Sequence, residues 1–132
     1  MNYYNELIKL TKKAYKKSEV PIAAIIVKNN KIISKAYNLR EKNNDVLGHA
    51  EIIAIKKATK KLKTWHLNDC ILYSTVEPCD MCKSIINEAK IDKVYFFLKN
   101  EKLRNSTTKY IFLNKIDNEF KKIIKDFFKK IR

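Results

Sequence analysis

Apolar and polar positions along this chain follow two periods, one helical and one extended. From Tyr3 to Lys17, Tyr3, Leu7, Leu10 and Ala14 fall on one side of a 3.6-residue repeat while Lys9, Lys12, Lys13, Lys16 and Lys17 take the rest, which predicts an amphipathic surface helix. Pro21 to Val27 is apolar without alternation, the pattern of a strand covered on both faces, and a second strand is predicted from Lys31 to Tyr37. Asn29-Asn30 joins them, and two asparagines tolerate positive φ, so the pair should turn back as a tight hairpin. Leu39 to Gly48 has no period and reads as a polar loop ending at the only glycine of the chain.

Helical spacing resumes at His49 and runs to about Leu62, with Ile52, Ile53, Ile55, Ala58 and Leu62 facing inward. Cys70 to Val76 is predicted as a strand, Asp80 to Ala89 as a helix, Val94 to Leu98 as a fourth strand and Tyr110 to Leu113 as a short fifth. A last helix from about Asp117 holds Phe120, Ile123, Ile124, Phe127, Phe128 and Ile131 against Lys121, Lys122, Lys125, Lys129 and Lys130. Strands interleaved with helices predict an α/β fold, a three-layer α/β/α sandwich on a mixed five-stranded sheet. The third and fourth strands, joined through a helix, should run parallel. Only 99–109 separates the fourth strand from the fifth, and parallel crossovers ordinarily take about a dozen residues or more. This favours an antiparallel return for the fifth strand. A pocket is expected where strands end and helices begin.

With 132 residues the chain has the size of one domain, 1–132, and no linker or repeat divides it. Its longest apolar run is far below a membrane span of ~20 residues and its start has no signal-peptide core, so a cytoplasmic protein with no membrane association is expected. Three cysteines give no disulfide framework, in keeping with a reducing compartment.

The chemistry is concentrated in two short pieces, His49-Ala50-Glu51 and, thirty residues after the histidine, Pro78-Cys79-Asp80-Met81-Cys82. Hydrolytic zinc takes three protein ligands and keeps a fourth position for water, and His49, Cys79 and Cys82 are that number from suitable residue types. If Pro78 opens a helix, both sulfurs lie on one face of its first turn, where free N–H groups and the dipole favour thiolate. Glu51 is the spare carboxylate, offset so that it can work as a proton carrier beside the metal without competing for it. H-x-E followed by P-C-x-x-C is the signature of the zinc nucleobase deaminases.

Together with Val20-Pro21-Ile22, Asn38, Trp65-His66-Leu67, Glu77-Pro78-Cys79 and Phe127-Phe128-Lys129-Lys130, these segments make the chain resemble the bacterial tRNA-specific adenosine deaminases, within the cytidine/deoxycytidylate deaminase superfamily. The match covers about residues 3 to 98 in register. The resemblance implies a cytidine deaminase-like fold, one zinc per chain on His49, Cys79 and Cys82, and Glu51 as catalytic proton shuttle. It implies that Asn38, eleven residues before the histidine, hydrogen-bonds the purine, that Val20 and Pro21 form an apolar wall, and that the protein is a homodimer acting on a tRNA anticodon loop. Two small departures are Ala23 for the usual glycine and Gly48 for the usual alanine. A larger one is 99–109, which stands where the family carries a longer glycine-containing segment and an extra helix.

Lys and Arg number 29 against 14 acidic residues, a formal charge of +15, which supplies phosphate affinity that a free nucleoside does not need. Only three of the 29 are arginine, so compositional bias is the competing explanation. Lys129, Lys130 and Arg132 are the candidate RNA contacts of the last helix. Trp65 and His66 read as packing or capping residues, and Cys70, roughly 20 Å of strand away from Cys79, as a buried thiol outside the metal site. Three functions remain open: a tRNA adenosine deaminase, a deaminase of a free nucleoside or base (cytidine, adenosine or guanine), and a non-catalytic zinc-stabilised RNA-binding protein.

Overall fold

The computed structural model describes residues 3–100, 108–114 and 118–130. Its elements are α1 (Tyr3–Lys16), β1 (Ala23–Lys28), β2 (Lys31–Tyr37), α2 (Arg40–Asn43), α3 (Ala50–Leu62), β3 (Cys70–Val76), α4 (Asp80–Glu88), β4 (Lys93–Leu98), β5 (Lys109–Phe112) and α5 (Glu119–Lys130). The strands form one sheet in the order β2-β1-β3-β4-β5. β1 is antiparallel to β2 and to β3, and β3, β4 and β5 run parallel.

β1 shows why an uninterrupted apolar run becomes a central strand. Side chains alternate between the two faces, so Ala24 and Ile26 enter one buried cluster while Ala23, Ile25 and Val27 enter the other. The first cluster packs α3 and α4 on the sheet through Ile52, Ile55, Ala58, Cys82 and Ile86. The second packs α1 and α5 through Tyr4, Leu7, Leu10 and Phe120, with Phe97 from β4. Tyr4 sets its ring 5.0 Å from both Phe97 and Phe120, edge to face, and its hydroxyl accepts the Glu119 N–H at 3.0 Å. The three layers and the mixed sheet are those expected. At the hairpin, Asn29 and Asn30 have φ of 51° and 62°, the left-handed pair a two-residue turn requires.

Several expectations are corrected. The fifth strand is parallel to β4, with Lys93 opposite Lys109. The connection of ten residues, 99–108, has about 20 Å to return along six-residue β4, a distance within the reach of ten residues. The loop 39–48 contains α2, a single helical turn without an apolar face. Of the packing and capping roles expected for Trp65 and His66, the packing is on each other at the surface, the rings 3.7 Å apart and Trp65 59% exposed. They follow Lys63, whose left-handed backbone ends α3 before the stretch can pack. Cys70 is buried in β3, as expected. Asp117, Ile131 and Arg132 lie outside the described residues.

Candidate metal centre

His49 is the N-cap of α3 and Cys79 the N-cap of α4, both in extended conformation. Pro78 therefore precedes the cap and does not open the helix as expected; helical geometry begins at Asp80, and Cys82 is its third residue. Two helix starts thus face each other at the end of β3. His49 Nδ1 lies 3.4 Å from Cys82 Sγ and 3.7 Å from Cys79 Sγ, and the three donor atoms fall within 4.8 Å of one another. Tetrahedral zinc, with Zn–S ~2.3 Å and Zn–N ~2.0 Å, separates nitrogen from sulfur by about 3.6 Å. The donor set and its spacing fit such an ion.

Burial charges this place with groups that resist ionisation. Glu51, the second residue of α3, is buried, and loss of solvent pushes its carboxyl up to about 7, against a hydrogen bond with Cys82 that opposes the rise. Burial, then the neighbouring Glu51 and Cys79 charges, push the Cys82 thiol well above its usual range. His49 is shifted down by burial and then by the Arg40 guanidinium, which lies 3.4 Å from Nε2. A divalent cation would reverse this balance for the Cys82 thiol.

Beside the donors opens a cavity of about 140 Å³ lined by Val20, Ile22, Asn38, Arg40, His49, Ala50, Glu51, Val76, Glu77, Cys79 and Asn100. Asn38 is buried there, and its Oδ1 accepts the Arg40 N–H at 2.9 Å. Pro21, expected in the wall, is fully buried outside this lining, and Ile22 takes its place beside Val20. The Ile22 N–H donates to Val20 O at 2.8 Å, a tight turn about Pro21 that leaves the residues on either side of it in the lining. Lys129 and Lys130 lie on the exposed end of α5, away from the cavity lining, with Lys130 Nζ 5.5 Å from the Tyr15 ring centre.

Sequence reasoning missed Arg40, Glu77 and Asn100 as lining residues. Arg40 stands two residues after Asn38 and Asn100 two after β4, where the carboxyl end of a strand opens a site. That topological rule was the signal for Arg40 and Asn100, and for Glu77 it was its place two residues before Cys79. A second groove, lined by Lys17, Ser18, Glu19, Val20, Glu41, Lys42, Phe127 and Phe128, shares Val20 with the cavity. No helix among the described residues is long and apolar enough to cross a membrane.

The family model described as MafB19-like deaminase matches residues 1–132. The chain is 46% identical over 94 residues to the tRNA-specific adenosine deaminase of Bacillus subtilis (strain 168), covering 71% of this chain and 58% of the relative. It thus spans less than two thirds of that relative's length. A solved structure from work on A-to-I editing by tRNA:A34 deaminases at the wobble position superposes with a TM-score of 0.77 at 27% identity, covering 84% of this chain and 97% of that one. A guanine deaminase from Bacillus subtilis superposes with a TM-score of 0.69, also at 27% identity, over 92% and 91% of the two chains.

Proposed function

The chain belongs to the MafB19-like deaminase family, and we propose that residues 1–132 form a zinc-dependent hydrolytic deaminase domain converting the wobble adenosine of a tRNA anticodon to inosine. The observation that carries this reading is the clustering of the His49, Cys79 and Cys82 donors beside one cavity that buried Glu51 and Asn38 line. Its relatives named as tRNA-specific adenosine deaminases supply the substrate class.

An amino group conjugated to a purine ring leaves only after water adds to the carbon that bears it. Zinc held by His49, Cys79 and Cys82 would supply water activated for that addition near neutral pH. Glu51 holds and returns the protons: it is a buried carboxyl that lines the cavity two residues after the His49 donor, placed to act as acid and base in turn. Asn38 orients the ring. With Oδ1 held by the Arg40 N–H, its Nδ2 end is the donor for a ring acceptor. Val20 and Ile22 supply apolar contact to the base.

The cavity is small against the roughly 300–1,000 Å³ of sites that enclose a whole ligand, which suits capture of a single unstacked base with the rest of the nucleotide outside. The adjoining groove offers Lys17 and Lys42 to phosphates and half-exposed Phe128 to a flanking base. Lys129, Lys130 and Arg132 extend the basic end of the chain. A homodimer and a cytoplasmic location accompany this reading, and exposed Val46 and Leu47 on the loop before His49 are apolar surface for such an assembly to cover. The guanine deaminase of similar fold favours one alternative, hydrolysis of a free base.

Zinc-loaded protein, expected to hold about one ion per chain, is incubated with tRNA and, separately, with free adenosine, cytidine and guanine. Inosine should appear at the wobble position only, and Glu51→Ala should keep its zinc while losing at least ~100-fold in rate. Turnover of a free base or nucleoside with no inosine in tRNA promotes the alternative. Zinc-free wild-type protein removes both.

A further inference from the structure

Glu77 ends β3's path toward the metal-bearing turn and is 3% exposed. A carboxylate removed from water there needs its oxygens occupied, and both are. Oε2 accepts from Lys83 Nζ at 2.9 Å and Oε1 accepts from the backbone N–H of Asn100 at 3.0 Å. Lys83 is itself 5% exposed, with its ammonium 4.8 Å from the centre of the Tyr110 ring. The main-chain N–H of Glu77 also donates to Leu98 O at 2.7 Å. One residue therefore grips the chain leaving β4 by main chain and side chain together.

Fold stability alone does not account for a charged pair in this position. The β3–β4 ladder already joins Val76 to Leu98, and apolar side chains of similar volume usually serve a core as well as a buried ion pair or better. What the pair adds lies beyond the last rung of the ladder: it fixes Asn100, a cavity-lining residue, against Glu77, another. Lys83 belongs to α4, directly after Cys82, so the same pair ties that edge of the cavity to the helix carrying a metal donor.

We propose that Glu77, with Lys83 as its buried counter-cation, is a positioning residue that holds the Asn100 edge of the cavity at a set distance from the metal-bearing turn and thereby governs substrate binding. The inference deepens the deaminase reading and rests on it for its kinetic arm alone.

Two double variants of the full chain separate the anchor from the charges. E77Q/K83M keeps a carbonyl oxygen for the Asn100 N–H and removes both charges, whereas E77L/K83M keeps apolar volume and removes the acceptor. Amide exchange at Asn100 should stay slow in wild type and E77Q/K83M and quicken at least about tenfold in E77L/K83M, with equal zinc per chain in all three. On an anticodon stem-loop RNA, KM should rise about tenfold in E77L/K83M with kcat within about twofold, and E77Q/K83M should return KM to near the wild-type value. Unchanged Asn100 exchange in E77L/K83M, or a loss confined to kcat, overturns the positioning role. So does an unfolded E77L/K83M beside a folded E77Q/K83M, which assigns Glu77 to stability. Wild-type protein that turns over neither RNA nor any free base or nucleoside defeats the deaminase reading instead, and the exchange measurement still decides the clamp.

Discussion

A carboxyl in the first turn of a helix is ordinarily ionised and favoured there by the dipole, yet at Glu51 burial wins and raises the group to about 7 from 4.5. Because the folded value is the higher one, the native state binds more protons than the unfolded chain between these two values. Stability of the metal-free protein should therefore fall as pH rises through that window, by roughly 3 kcal/mol at most once above it. Glu51→Gln removes the titration. In protein stripped with a chelator, the variant should unfold at higher denaturant than wild type at pH 8, and the two should converge toward pH 4.5. Stability curves that run parallel across the whole range would contradict the burial argument.

At the scale of elements, α2 shows how structure arises where no pattern announces it. Its four residues have no buried side chain, and its free N–H groups are satisfied from outside. Buried Glu19 accepts from Glu41 N–H at 3.0 Å and Lys42 N–H at 2.7 Å, and Asn38 Oδ1 accepts from Arg40 N–H. The turn closes on Gly48, where a Cβ would stand 2.7 Å from Arg40 Cα and 2.8 Å from its nitrogen. Backbone cannot swing aside as a long side chain does, so Gly48→Ala should displace Arg40 and destabilise the protein by about 1–3 kcal/mol. Chemical denaturation measures the cost. An unchanged midpoint would mean that the loop relaxes freely, and the close approach would lose its significance.

For the whole molecule the decisive property is charge, +15 over 132 residues. Each phosphate neutralised on a single strand contributes a slope of about −0.7 in log affinity against log salt. With lysines along the groove and on α5, binding of an anticodon stem-loop to the Glu51→Ala variant, followed by fluorescence anisotropy, should show a slope steeper than about −2. A flat response would assign the lysine content to compositional bias and strengthen the free-base alternative.

Sequence alone determined the hairpin, the order of the strands and of every helix but α2, and the grouping of His49, Cys79 and Cys82 as side chains able to hold a metal ion. Each rests on short-range regularities: alternation in β1, positive φ at two asparagines, and a proline-flanked Cys-x-x-Cys whose spacing spans one helical turn. Only the tertiary structure decided the rest. The parallel run of β5 depends on where β4 leaves a free edge, which local pattern does not encode. Pro21 gave way to Ile22 in the cavity because the chain makes a tight turn at Pro21 before β1 begins, which an apolar run does not announce. Glu19, Glu77 and Lys83 read as ordinary charged residues until residues 22, 23 or 6 positions away in the chain come within hydrogen-bond reach and make each of them a buried anchor. A polar group's worth is set by its partners and by the water it has lost, and both are properties of the folded chain.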